Sequence, residues 1–431
     1  MEISARAFVI PNSSCPAPLI GYLFVIFIMK FACNSTKWLG LFSFLVFALS
    51  SRGDDWPQWR GPNRDGISKE TGWLSEWPAT GPKKLWEAPV GIGYSSCSVS
   101  KGRLYTMGNV AENDNVTCFD AETGKVNWKH QYPCSSKDPN GYPGTRCTPT
   151  LDGEFVYTVS RQGNFFCLAA ANGTVKWSKD FRKDFGAEIP TWGFAGSPLI
   201  ENDWVLAEVS GNASVVAFDK LTGKLAWQAG NEPAGYGSLI AFDLGGQRCL
   251  LQFSGEQLIC RHMKDGSEMW RLPWKTSYRV NATTPIIQGD EIFISSGYGY
   301  GCALLKASAT DAKEIWRNKN MRTHVNSCVL VNGLIYGYDE SELKCLDWKN
   351  GDVKWGTRAY GKGSLIANDA KLILYGQSGK LGVAEASPAA FKELCSFQAL
   401  QGKDTWASPV LANGRLYVRN LDRVLALDVR K

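Results

Sequence analysis

Ten residues dispersed between positions 94 and 406 are of types that could build one ligand site: Tyr94, Arg146, Trp192, Tyr236, Arg279, Asn281, His324, Asn326, Lys362 and Trp406. Aromatic rings offer flat faces for stacking, arginine and lysine pair with carboxylates, and asparagine amides set orientation, so the set suits a planar anionic ligand. The same residues would also serve as packing between surface loops or as contacts for a protein partner. Acid–base and metal chemistry find less support. His324 is one of three histidines, with His130 and His262, and no Ser or Asp stands at a spacing that suggests a triad or a zinc site. No residue is therefore assigned as catalytic or as a metal ligand.

Residues so far apart in the chain need a repeated element to bring them together, and the sequence holds one. Each precedes one of eight apolar segments led by a hydroxyl residue, at Ser96, Thr148, Ser197, Ser238, Thr284, Ser327, Ser364 and Ser408. Those hydroxyls would either line a hydrated channel or bond to nearby backbone. A second element recurs downstream of each: CFDAETGKVNW (118–128), CLAAANGTVKW (167–177), AFDKLTGKLAW (217–227), CRHMKDGSEMW (260–270) and CLDWKNGDVKW (345–355), with KASATDAKEIW (306–316) carrying Ala312 in place of glycine. Each reads as strand, glycine turn and strand ending in an aromatic. The closing aromatics Trp86, Trp128, Trp177, Trp227, Trp270, Trp316, Trp355 and Phe397 are 39 to 50 residues apart, which fits four short strands per unit.

Eight units of four strands predict an all-β, eight-bladed propeller over 83–431, in which the loops feeding the innermost strands open together on one face. The tryptophans are assigned to docking each blade on its neighbour's glycine turn, where one ring buries roughly 150–250 Å². The chain finishes at VLALDVRK without a further Trp strand, so the last blade is expected to take its outermost strand from KKLWEAP (83–89). Such a splice closes the ring and leaves no open edge.

Composition agrees with this class. Seventeen Trp and 44 Gly against six Met suit aromatic strands joined by tight turns. The formal charge of +6 is spread without a basic run, which argues against a nucleic-acid partner. Two apolar runs, LIGYLFVIFI (19–28) and WLGLFSFLVFALSS (38–51), precede the repeats. Read from Met29, with Lys30 and Lys37 ahead of the second run and small residues at its end, segment 1–51 has the anatomy of a secretory signal, so the protein is expected to be exported, with no stable membrane span once the signal is removed. Eleven of the thirteen cysteines lie beyond that segment, an odd number that excludes full pairing. Cys134 and Cys147 share one loop and are the candidates for a local disulfide. Between signal and ring lies a Trp-rich lead-in, 52–82, opening with DDWPQWRGPNRDG, whose prolines rule out a blade strand. It is expected to pack as a strap along the rim or over one channel mouth, with Trp56, Trp59 and Arg60 as anchors.

The pattern [CA]-x-[DA]-x-x-[TND]-G-x-x-x-W resembles the pyrroloquinoline-quinone-like (PQQ-like) repeat, shared by quinoprotein alcohol and sugar dehydrogenases and by BamB-like assembly proteins. The resemblance covers about residues 83–431 and implies an eight-bladed ring and a bacterial, periplasmic or secreted setting. For the dehydrogenases it implies PQQ with a calcium or lanthanide ion held by Glu, Asn and Asp, an arginine beside the quinone and often an adjacent cysteine pair. No Cys-Cys pair occurs, and the units carry few insertions. The expected function is a non-catalytic binding or scaffold protein, with a protein partner or small ligand of the cell envelope on the funnel face. The alternative is a PQQ- and calcium-dependent oxidoreductase with a reduced site.

Overall fold

The computed structural model describes residues 54–431; the segment 1–51 read as a secretory signal lies outside the described residues. Eight antiparallel four-stranded sheets succeed one another along the chain, one of them extended by a fifth, parallel strand. Their innermost strands are Ser98–Ser100, Thr150–Asp152, Leu199–Glu201, Ile240–Leu244, Ile286–Gln288, Val329–Val331, Gly363–Asn368 and Val410–Ala412, counted below as the first to eighth blades. The middle strands are buried on both faces because each blade is sandwiched between two others. Arg103–Val110 and Asn113–Asp120 are accordingly near-continuous buried runs, whereas the outer strand Val126–Pro133 buries only a few of its residues. The eighth blade is completed from the other end of the chain: Lys83–Pro89 pairs antiparallel with Arg423–Asp428, from Lys83↔Asp428 to Pro89↔Arg423. The fold is an eight-bladed β-propeller closed by its N-terminal strand.

Each docking aromatic sits on the next unit's turn. Trp86 covers Gly124, whose φ of +71° and position 2.5 Å from the ring (for an added Cβ) leave room for no other residue. Trp128, Trp177, Trp227 and Trp316 cover Gly173, Gly223, Gly266 and Gly351 in the same way. Six indoles also donate to a carbonyl across the interface: Trp86 to Ala121, Trp128 to Ala170, Trp177 to Lys220, Trp270 to Ser308, Trp316 to Trp348 and Trp355 to Ser387. Trp227 is the exception, its buried Nε1 having no partner. Nearer the axis, the leading hydroxyls bond to the backbone of adjacent blades. Thr148 Oγ1 accepts the Ser96 amide at 3.1 Å, Ser197 Oγ that of Thr148 at 3.0 Å, Ser238 Oγ that of Ser197 at 3.0 Å and Ser327 Oγ that of Thr284 at 2.9 Å.

The expected disulfide is absent: Cys134 and Cys147 are both buried free thiols. Cys147 Sγ accepts the Val159 amide at 3.4 Å inside the second blade, while the Cys134 thiol is pushed up to about 12 by burial and then by Asp114. Ion pairs tie the loop instead. The buried Asp138 carboxylate holds Arg146 at 3.2 Å and Arg161 at 2.9 Å. With all eleven cysteines of the described residues free, a reductant is expected to leave the thermal midpoint unchanged within about 1 °C, a shift that a 2–4 kcal/mol cross-link would exceed several-fold.

The lead-in does more than run along the rim. Trp56 pairs with Val99 of the first blade by two backbone hydrogen bonds of 2.8 Å, and the Leu151 amide of the second donates to Pro57. Arg64 donates to Ser197 and Leu239 of the third and fourth blades, Trp59 to Thr284 of the fifth and Arg60 to Cys328 of the sixth. Ile67–Ser68 adds a parallel strand to the seventh, and Ser68 and Glu70 reach Leu411, Asn413 and Gly414 of the eighth. One short segment thus touches the inner wall of every blade. Trp73 then donates to Asn368 at 2.7 Å, and Trp77 meets Phe397 edge-on at 6.2 Å.

Candidate functional site

The loops ahead of the inner strands enclose a cavity open to solvent. Of the ten residues singled out from the sequence, Tyr94, Arg146, Trp192, Tyr236, His324, Asn326 and Trp406 line it. Three do not. Lys362 stands just behind the wall, donating to His324 Nδ1 at 2.8 Å and lying over the Trp406 ring at 5.8 Å. Arg279 turns outward to Glu256 at 3.2 Å. Asn281 is fully buried and saturated: its Nδ2 donates to Ser254 and Trp274 carbonyls, its Oδ1 accepts from Thr276 and Ser296, and its backbone carbonyl takes the Tyr236 and Gly237 amides. Asn281 therefore positions the Tyr236 wall and does not face a ligand.

The wall also holds residues the sequence reading missed. Tyr142 shares the Arg146 loop, and Tyr298 comes from the glycine-rich SGYGYG turn between the middle strands of the fifth blade. Trp59 comes from the lead-in. The rings form a nearly continuous necklace: Tyr236–Trp192 at 5.9 Å, Trp192–Tyr278 at 5.8 Å, Tyr278–Tyr298 at 5.9 Å, Tyr298–His324 at 4.7 Å, then Trp406–Tyr94 at 5.2 Å and Trp406–Tyr142 at 5.4 Å. Tyr278 and Arg279 hold left-handed φ values of 58° and 60°, a backbone strain that presents Tyr278 at the rim, 66% exposed.

The electrostatics favour an anion. Arg146 is drawn down to about 10, first by burial and next by Arg161, and remains a cation at neutral pH. It lies over the Tyr94 ring at 5.6 Å. One buried carboxylate, Asp138, serves both Arg146 and Arg161. His324 is pushed down to about 4 by burial and then by Lys362. It is neutral across the physiological range, and with Nδ1 accepting from Lys362 its ring donor is Nε2–H. Two buried polar atoms of wall residues have no partner beneath the cavity surface: Asn326 Oδ1, fixed by the donation of Nδ2 to Gly363 at 2.7 Å, and Trp406 Nε1. Each such buried atom costs about 1–3 kcal/mol.

A calcium–quinone pair fits this cavity only in part. The aromatic wall and Arg146 suit a planar polycarboxylate. No Asp or Glu lines the cavity, and no cluster of three His, Cys, Asp or Glu suited to a metal occurs among the described residues. The residues present therefore do not fit a calcium ion beside the ring.

A protein-family model described as outer membrane protein assembly factor BamB matches residues 112–357, more than half of the chain. Among solved structures, BamB from Moraxella catarrhalis is 12% identical with a TM-score of 0.56, the match covering 80% of this chain and 97% of that one. Quinohemoprotein alcohol dehydrogenase ADHIIG from Pseudomonas putida HK5 is 13% identical with a TM-score of 0.64, covering 87% and 80%. At these identities the likeness is one of fold. No curated protein matches the chain by sequence.

Proposed function

Because this chain belongs to the family described as outer membrane protein assembly factor BamB, we propose that it is an exported, non-catalytic binding propeller whose funnel takes a flat anionic ligand. The observation that carries this reading is the funnel itself: aromatic rings in edge-on, tilted and stacked contact beside a cationic Arg146. Flat faces select a planar molecule, and the guanidinium selects a carboxylate. The cationic groups already lying over Tyr94 and Trp406 turn a further cation away.

Catalysis lacks a base in this site. His324 is neutral but its free edge is a donor, no carboxylate lines the cavity, and Asp138 behind it is committed to two arginines. No helix among the described residues is long and apolar enough to cross a membrane. The family name places BamB in outer-membrane assembly, which supports a setting in the cell envelope for this chain too. The test is a dye-linked oxidation assay of the purified protein with PQQ and calcium over a panel of alcohols and sugars. No turnover above the protein-free control is expected, and dye reduction that scales with protein concentration would replace this reading by the quinoprotein one.

A further inference from the structure

The channel of an eight-bladed ring runs from face to face, and nothing in the blade repeat closes it. Here the lead-in reaches inner strands on several sides of it. Residues 58–66 coil tightly, with Gly61 N–H donating to Gln58 at 3.0 Å, Arg64 N–H to Gly61 at 3.1 Å and Gly66 N–H to Arg60 at 2.9 Å. Arg60 and Arg64 take left-handed φ values of 63° and 57°, strained for residues with a Cβ, and their side chains hold the coil in place. Arg60 donates to Cys328 at 2.6 Å on one side of the axis, and Arg64 to Leu239 at 3.0 Å on another. Trp59, next to Arg60, is the lead-in residue that lines the funnel cavity, its Nε1–H fixed on Thr284 Oγ1 at 3.0 Å. The coil lies outside the residues matched by the family, 112–357.

From this geometry we propose that the lead-in is part of the binding site: it seals one mouth of the channel and sets Trp59 as the floor of a blind funnel. The occupant is then a compact flat ring system that enters and leaves by one mouth, and not a chain threaded through the ring. An indole already fixed at its N–H and joined to an anchored arginine loses little freedom when a ligand stacks on it, so its stacking goes into affinity. A ligand resting on that ring in turn restrains the coil that carries it. The inference rests on the funnel being a binding site for flat anions.

The test is calorimetric titration with PQQ, a flat aromatic polycarboxylate, of the wild type, Trp59→Ala, Trp59→Phe and Thr284→Val, each checked by its thermal melt. Hydrogen exchange of amides 56–66 is monitored in the wild type with and without saturating PQQ. Trp59→Ala is expected to weaken binding about tenfold or more, Trp59→Phe by no more than about threefold because a ring remains, and Thr284→Val by about threefold because the ring is no longer held. PQQ is expected to slow exchange across 56–66. A linear acidic oligosaccharide should not bind. If Trp59→Ala fails to fold, Thr284→Val and the exchange experiment decide. Wild-type binding with Trp59→Ala or Thr284→Val unaffected, exchange unchanged at saturation, or an oligosaccharide that binds as tightly as PQQ would each overturn the blind-funnel inference alone. A wild type that does not bind PQQ removes the binding reading and this inference with it.

Discussion

Deleting Lys83–Pro89 abolishes the cooperative thermal transition, and Trp86→Ala alone lowers the unfolding free energy by about 3–5 kcal/mol. The strand supplies the outer edge of the eighth blade and the joint between the eighth blade and the first. Its main chain pairs along the whole of Arg423–Asp428, and Glu87 holds Arg423 across the pair. Its tryptophan reaches the neighbouring blade, stacking on Phe119 at 5.8 Å, covering Gly124 and donating to the Ala121 carbonyl at 3.0 Å. Burying one indole removes roughly 150–250 Å² from water, several kcal/mol at about 25 cal/mol per Å². Without the strand, Arg423–Asp428 becomes an open edge and the first blade loses its neighbour's docking ring, so the loss is spread around the ring. Scanning calorimetry of the deletion and of Trp86→Ala measures both effects, and a deletion variant that melts like the wild type would contradict this mode of closure.

Arg64→Met costs about 3–5 kcal/mol, and Arg64→Lys recovers little of it. The Arg64 guanidinium is buried with no carboxylate beside it, and burial draws it down to about 9, still charged at neutral pH. Its partners are the carbonyls of Ser197, Pro198 and Leu239 and the Gln58 side chain at 2.9 Å. Methionine fills much of the volume but leaves these acceptors facing an apolar group. An ammonium cannot span the third and fourth blades as the planar fork does. A urea titration reads the loss as a lower midpoint at unchanged slope. A midpoint within about 0.5 kcal/mol of wild type would show that the coil does not depend on this anchor.

The fold was legible because its main device is repeated. An eleven-residue motif that ends in a docking tryptophan must recur wherever one blade meets the next, and the missing last Trp strand pointed to Lys83–Pro89. The funnel was partly legible for the same reason: residues just before each inner strand have to converge. Position along the chain does not say which way a side chain turns. Asn281 and Tyr236 both precede an inner strand, yet Asn281 points into the joint between blades, where four partners hold it. Cys134 and Cys147 share a loop, and shared location suggested a bond; the loop is tied by Asp138 and two arginines, a pattern without a regular spacing. The lead-in was the least legible part. It occurs once, its turns are irregular, and many of its partners are main-chain carbonyls and amides between residues 99 and 414, which leave no mark in side-chain pattern.

The central claim is that the funnel is a built anion site. Its most direct test is a calcium-free calorimetric titration of PQQ into the wild type and Arg146→Met. The expected result is saturable binding of one molecule per chain, weakened at least about tenfold by Arg146→Met, the loss of about 1.4 kcal/mol or more that one charge-assisted contact supplies. No heat of binding in the wild type, or an Arg146→Met protein that binds as the wild type does, would contradict it.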